Sequence, residues 1–345
     1  MELHYKISVK LREETDKDKF GKMNFIERWK PVAAMVAVGF GLGVVNILFK
    51  KALGGGLDRL ICVVYRQSIS TLILIPFVYF WERNSWRKLT ARLVGQMFVC
   101  ALLGLTLTQY LFMVGLDYTT ATFTNAFVNM VPVFTFIIAL PMGMEKVNMK
   151  TNSGIAKVLG TLTCVAGALL LTLYKGTALI NQRVHDHPVI NPKIRPKGYG
   201  PGAAFLFAGS LAWSSWFLIQ SKIGHNFPYR YSSTWIMSFF SAVQSAILCL
   251  ITDRNMSKWS LKGEMQILSV LYAGIVGSGL CYVVMSWCVK QRGPVFTSAF
   301  SPLLQVFAAI FDVSLLHEEI YLGSVLGSIV VIVGMYVLLW GKSKD

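Results

Sequence analysis

The chain alternates between long apolar blocks and short polar breaks. A helix needs about 20 apolar residues to cross roughly 30 Å of hydrocarbon. Blocks of that length fall at Pro31–Leu53, Leu60–Trp81, Leu93–Gly115, Thr119–Met142 and Gly154–Tyr174. A stretch rich in Pro, Lys and Arg follows, and five further blocks come after it, at Pro201–Ile219, Tyr231–Ile251, Gln266–Trp287, Pro294–Leu316 and Leu322–Trp340. The pattern predicts an all-α integral membrane protein with ten transmembrane helices. Its expected divisions are a tail at 1–30, a first five-helix unit at 31–175, a polar connecting loop at 176–200, a second five-helix unit at 201–341 and a short C-terminus at 342–345.

The two units resemble each other. Residues 96–145 slide onto 269–318, matching Gly104 with Gly277, Phe123-Thr124 with Phe296-Thr297, Ala126-Phe127 with Ala299-Phe300, Val133-Phe134 with Val306-Phe307, and Glu145 with Glu318. Pro31, Ala33, Ala34 and Gly39 likewise match Pro201, Ala203, Ala204 and Gly209. Five spans is an odd number, so the second unit must enter the bilayer from the opposite side. Inverted repeats of this kind characterise alternating-access carriers with a site near the midplane.

Composition agrees with lipid as the solvent: 54% of residues are hydrophobic and 14% charged, against about 25% charged in soluble domains. The net charge of +16 comes mostly from short segments between blocks. That favours basic cytoplasmic loops over a nucleic-acid footprint. Arg83, Arg87, Lys88 and Arg92 lie on one side, whereas the connections around Asp117 and Glu318 carry no Lys or Arg, so both termini are expected in the cytosol. Residues 1–30 read as a solvated tail without a signal peptide. The six cysteines fall inside apolar blocks without metal-ligand spacing and read as packing residues. All five histidines lie in tails, loops or block ends, so neither a metal, a cofactor nor an enzymatic site is expected.

A more specific likeness rests on Gly115-Leu116-Asp117-Tyr118-Thr119-Thr120-Ala121-Thr122-Phe123, followed by Asn125, Asn129, Pro132 and Thr135-Phe136, together with Val64-Tyr65-Arg66 and the ending Leu338-Leu339-Trp340-Gly341-Lys342. Over about residues 28–343 the chain resembles the plant nodulin-like EamA transporters, the walls-are-thin-related branch of the drug/metabolite transporters. The resemblance implies two EamA repeats, no cofactor, and transport of amino acids or, alternatively, auxin. The partners it implies are a small solute, the lipid bilayer and, as an option, a second copy in a homodimer. The plasma membrane is the expected location, with the vacuolar membrane as the alternative. Asp312 departs from the family pattern.

Polar positions at helical spacing mark the candidate solute site. Asn46 shares a face with Gly39 and Gly43; Trp213, Trp216 and Gln220 share one with Gly209. Asn125 and Asn129 align with Pro132, and Ser298 and Gln305 with Ser301 and Pro302. Thr106, Gln109 and Met113 have Gly279, Tyr282 and Ser286 as repeat mates. Amides and hydroxyls would bind the head group, with Trp213, Trp216 and Tyr282 as apolar walls. Interhelical amides and small residues also hold membrane bundles together, and that alternative stays open for each position taken singly. Candidate coupling or gating residues are Arg66, Asp117, Glu145 and Glu318. Arg66 is expected to pair with Asp117, a substrate carboxylate being the rival partner. Glu145 and Glu318 are expected as solvated carboxylates at helix ends.

Overall fold

A computed structural model describes residues 29–53, 56–119, 121–145, 150–174, 177–180, 199–252, 259–261, 263–316 and 320–343. Polar residues in several of the breaks between apolar blocks cap helix starts. Asp58 accepts from the Leu60 and Ile61 amides and opens α2 (Arg59–Trp81), which follows α1 (Trp29–Leu53). Thr90 accepts from Leu93 N and opens α3 (Ala91–Tyr118). These oxygens satisfy amides that the first helical turn leaves without partners.

The next block is two helices, α4 (Ala121–Asn129) and α5 (Val131–Ala139). The cause is Pro132 in the first turn of α5: it has no N–H to donate, and the Met130 amide turns back to Phe127 O at 3.1 Å. Thr151 caps α6 (Asn152–Leu173). After it come α7 (Tyr199–Asn226), α8 (Arg230–Thr252) and α9 (Glu264–Arg292). Gly293, at φ 87°, turns the chain into α10 (Pro294–Ser298), and a turn at Ala299 and Phe300 precedes α11 (Ser301–Leu316), with Pro302 in its first turn. The chain closes with α12 (Leu322–Ser343). Two expected single helices, Thr119–Met142 and Pro294–Leu316, are therefore each broken.

Seven helices among the described residues are long and apolar enough to cross a bilayer: α1, α2, α3, α7, α8, α9, and Pro294–Phe311 across α10 and α11. The protein is thus an all-helical membrane protein with one addition. A strand pair, β1 (Ala178–Ile180) with β2 (Ile320–Tyr321), joins antiparallel between the end of α6 and the start of α12.

Helices α6 and α12 touch backbone to backbone. A Cβ on Gly160 would lie 2.4 Å from Leu338 N, and one on Gly334 2.5 Å from Cys164 N. In lipid, where apolar surface gains nothing by leaving the solvent, such close packing is a main source of association. The other half of the structure surrounds α7, which packs on α3, α5 and α9. Its Trp216, Phe217 and Ile223, with Phe227 just past its end, share a buried cluster with Tyr282, Met285, Phe296 and Phe300.

Candidate functional site: a cavity above a sealed aromatic core

Two stretches of π-helix set the geometry. One occupies Leu102–Leu107 within α3, the other Ala273–Cys281 within α9. They coincide under the same shift that aligns Gly104 with Gly277. Widened turns of this kind recur at functional sites because they disturb the carbonyl ladder and re-aim side chains. Both carry a glycine beneath a neighbouring helix. A Cβ on Gly104 would lie 2.1 Å from the Trp216 ring, and one on Gly277 3.2 Å from Val45 of α1.

A cavity of about 200 Å³ opens at the Asp117 end. Phe49 and Leu53 of α1, Arg59, Leu60, Cys62 and Val63 of α2, Gln109, Phe112, Met113 and Leu116 of α3, and Thr124 of α4 line it. At the opposite end of α3, Thr90, Arg92, Leu93 and Gln96, with Asn226 of α7, surround a second hollow of about 340 Å³. Gln96 and Gln109 are about 20 Å of helix apart, at about 1.5 Å per residue. Trp216 and Tyr282 pack in that interval, ring edge to ring face at 5.6 Å, Trp216 being 2% exposed. Beneath Trp216, Gln220 donates to Ser286 Oγ and accepts from Cys100 Sγ at 3.9 Å.

The expected site residues therefore divide. Gln109 lines the cavity, while Trp216, Gln220 and Tyr282 form the barrier beside it, with half-buried Trp213 packed against the same cluster. Asn129 Nδ2 donates to Gln305 Oε1 at 3.0 Å, and Gln305 Nε2 donates to Asn125 O at 3.3 Å, tying α4 to α11. Ser298 is buried and donates to Val295 O at 3.1 Å within α10. Asn46 is exposed on α1. Its neighbours Gly39 and Gly43 lie against Phe307 and Phe311 of α11, a packing seam. Thr106 turns to α8, bonding Ser241 Oγ at 3.1 Å and Gln244 Oε1 at 3.0 Å.

The charged residues correct the sequence reading. Asp117 pairs with Arg59, not Arg66, at 3.4 Å and largely in solvent. Arg66 lies two turns deeper, 7% exposed, with its guanidinium 5.9 Å from the centre of the Phe49 ring and within reach of the Tyr282 hydroxyl. Helical rise explains the difference: Arg59 starts α2 level with Asp117, whereas Arg66 is carried into the bundle. Glu145 is no solvated carboxylate. It is buried against Lys157 Nζ of α6 at 3.3 Å. Glu318 and Asp186 with its flanking histidines lie outside the described residues.

One polar seam escaped the sequence reading. Ser238, Ser241 and Ser245 of α8, at helical spacing, are buried with Gln67 and Ser70 of α2, and Ser70 meets Ser238 at 3.1 Å. The serine period was the available signal. No group of His, Cys, Asp and Glu suited to a metal ion occurs among the described residues.

The model of the EamA-like transporter family matches residues 29–173 and again 200–340. The chain belongs to that family. Relatives in Arabidopsis thaliana place it among the plant WAT1-related members. WAT1-related protein At3g30340 is 52% identical, the match covering 92% of this chain and 88% of that one. WAT1-related protein At4g01440 is 46% identical with the same coverage, and the protein WALLS ARE THIN 1 is 35% identical over 90% of this chain and 83% of its own. A solved crystal structure of a protein at 15% identity, with TM-score 0.64, covers 88% of this chain and 96% of its own, a likeness of fold alone. Family membership makes the protein a membrane transporter rather than an enzyme.

Proposed function

We propose that the protein carries small organic solutes, amino acids foremost, by alternating access between two inverted five-helix repeats, ten spans in all, as a facilitator or exporter of the plasma membrane. The observation that carries this reading is the cavity at the Asp117 end with a packed aromatic barrier below it and a second hollow beyond. A carrier needs such a seal at one end while the other is open, and needs the seal to change ends. The matched π stretches in α3 and α9 supply deformable elements at related positions on the two sides of the barrier.

An auxin-like aromatic acid is the second reading. Phe49 and Phe112 in the cavity wall favour it, since flat rings stack on such side chains.

The test is counterflow of radiolabelled amino acids and indole-3-acetate in proteoliposomes, with and without an imposed pH gradient. Saturable exchange that follows the solute gradient is expected. Strong acceleration by the pH gradient would remove the facilitator reading, and absence of saturable flux for every solute would remove the transporter reading with it.

A further inference from the structure

Arg66 is buried on α2 with an Nε–H that has no acceptor among the described residues. Arginine stays charged in a protein and offers five donors in a planar fork. Buried without a carboxylate, such a group is unfavourable, and inside membranes it marks a functional site by default. The two carboxylates in question are already taken: Asp117 by Arg59 and Glu145 by Lys157.

The place of Arg66 relates it to the cavity. Cys62, one turn earlier on the same helix face, lines that cavity, and so does Phe49, over whose ring the guanidinium sits. The group thus lies just below the floor, beside the Tyr282 hydroxyl and against the π stretch of α9, where a Cβ on Gly274 would be 3.1 Å from Arg66 O. More unused polar capacity surrounds it. Gln67 is fully buried with neither amide atom hydrogen-bonded, and the Ser278 hydroxyl of the π stretch has no partner among the described residues.

We propose that Arg66 binds the carboxylate of the transported solute. The inference rests on the transporter reading and sharpens it: the substrates are small organic carboxylates, a class that includes amino acids and aryl-acetic acids and excludes their amides, esters and amines. The guanidinium fork takes both carboxylate oxygens. Tyr282 interacts with the Arg66 guanidinium and packs on Trp216, which sets the carboxylate site next to the contact that forms the barrier.

The experiment uses the full-length protein, with two readouts for the twenty common L-amino acids and indole-3-acetate. One is counterflow in proteoliposomes; the other is the shift of the melting temperature in detergent. Each active acid is compared with its own methyl ester and primary amide. Acids are expected to compete at concentrations at least about 10-fold below their neutral forms. Arg66→Lys should raise the half-saturating concentration on the order of 10- to 100-fold, and Arg66→Gln should remove the melting shift. Equal competition by acid and ester overturns the inference and leaves the transporter reading intact. Acids that shift melting but never cross retain the inference and remove transport. Acids that neither bind nor cross remove both. The comparison of acid with ester uses the native protein and stands even if the Arg66 variants fail to fold.

Discussion

Charges in this chain take their meaning from depth. Arg59 and Asp117 are exposed on neighbouring helices, and a pair of that kind contributes little. Glu145 and Lys157 are 5% and 3% exposed at their side chains, so each charge has lost most of its water. Replacing such a pair by apolar groups is often tolerated, whereas removing one member strands the other. Glu145→Gln is therefore expected to cost about 3 kcal/mol, read as a lowered melting temperature in detergent. Adding Lys157→Met should recover most of the loss, and solute exchange should persist at a reduced rate in the folded fraction. Unchanged melting of the single variant would return Glu145 to the solvated role its place at a helix end first implied. Nothing in the spacing of residues 145 and 157 announced the pair, because it depends on where α6 sits beside the chain that leaves α5. The Asn129–Gln305 bond was half legible: helical spacing puts both amides on polar faces of related spans, but their bond to each other depends on how α4 and α11 meet.

At the scale of the element, apolar length and the placement of Asp58, Thr90, Thr151, Pro132 and Gly293 foretell where helices begin and break. The π stretches were not legible. They arise where Gly104 and Gly274 let Trp216 and Ile69 approach, a packing event that no local propensity encodes. The contact of α6 with α12 depends in the same way on glycine positions. Gly334→Leu would force side-chain atoms into the Cys164 backbone, and such overpacking costs about 1–3 kcal/mol. The expected outcome is a lower melting temperature and reduced accumulation. Gly95→Ala, where no atom lies within 4 Å, is the control and should melt like the parent. If the two variants behave alike, the close contact of α6 and α12 contributes no stability.

For the molecule as a whole, the prediction is orientation. The basic segment from Arg83 to Arg92 should be cytosolic, and Thr177, at the β1 end of α6, should face the other side. Arg87→Cys and Thr177→Cys test this with a membrane-impermeant maleimide on intact cells. The six native cysteines are buried and give little background. Labelling at position 177 and protection at 87 is expected; the reverse would invert the molecule and place the cavity at the cytosolic face. Taken by itself, the sequence determined that the chain is an all-helical membrane protein, that its halves are related, and which family it joins. These follow from apolar length, loop charge and motif, properties carried by consecutive residues. Only the tertiary structure decided which polar groups pair with one another, which stand beside a cavity, and where the aromatic barrier between the two hollows lies. Those outcomes depend on how far each helix is turned and raised against its neighbours, and contacts between residues more than a hundred positions apart settle that, as Gly104 under Trp216 and Arg66 beside Tyr282 do here.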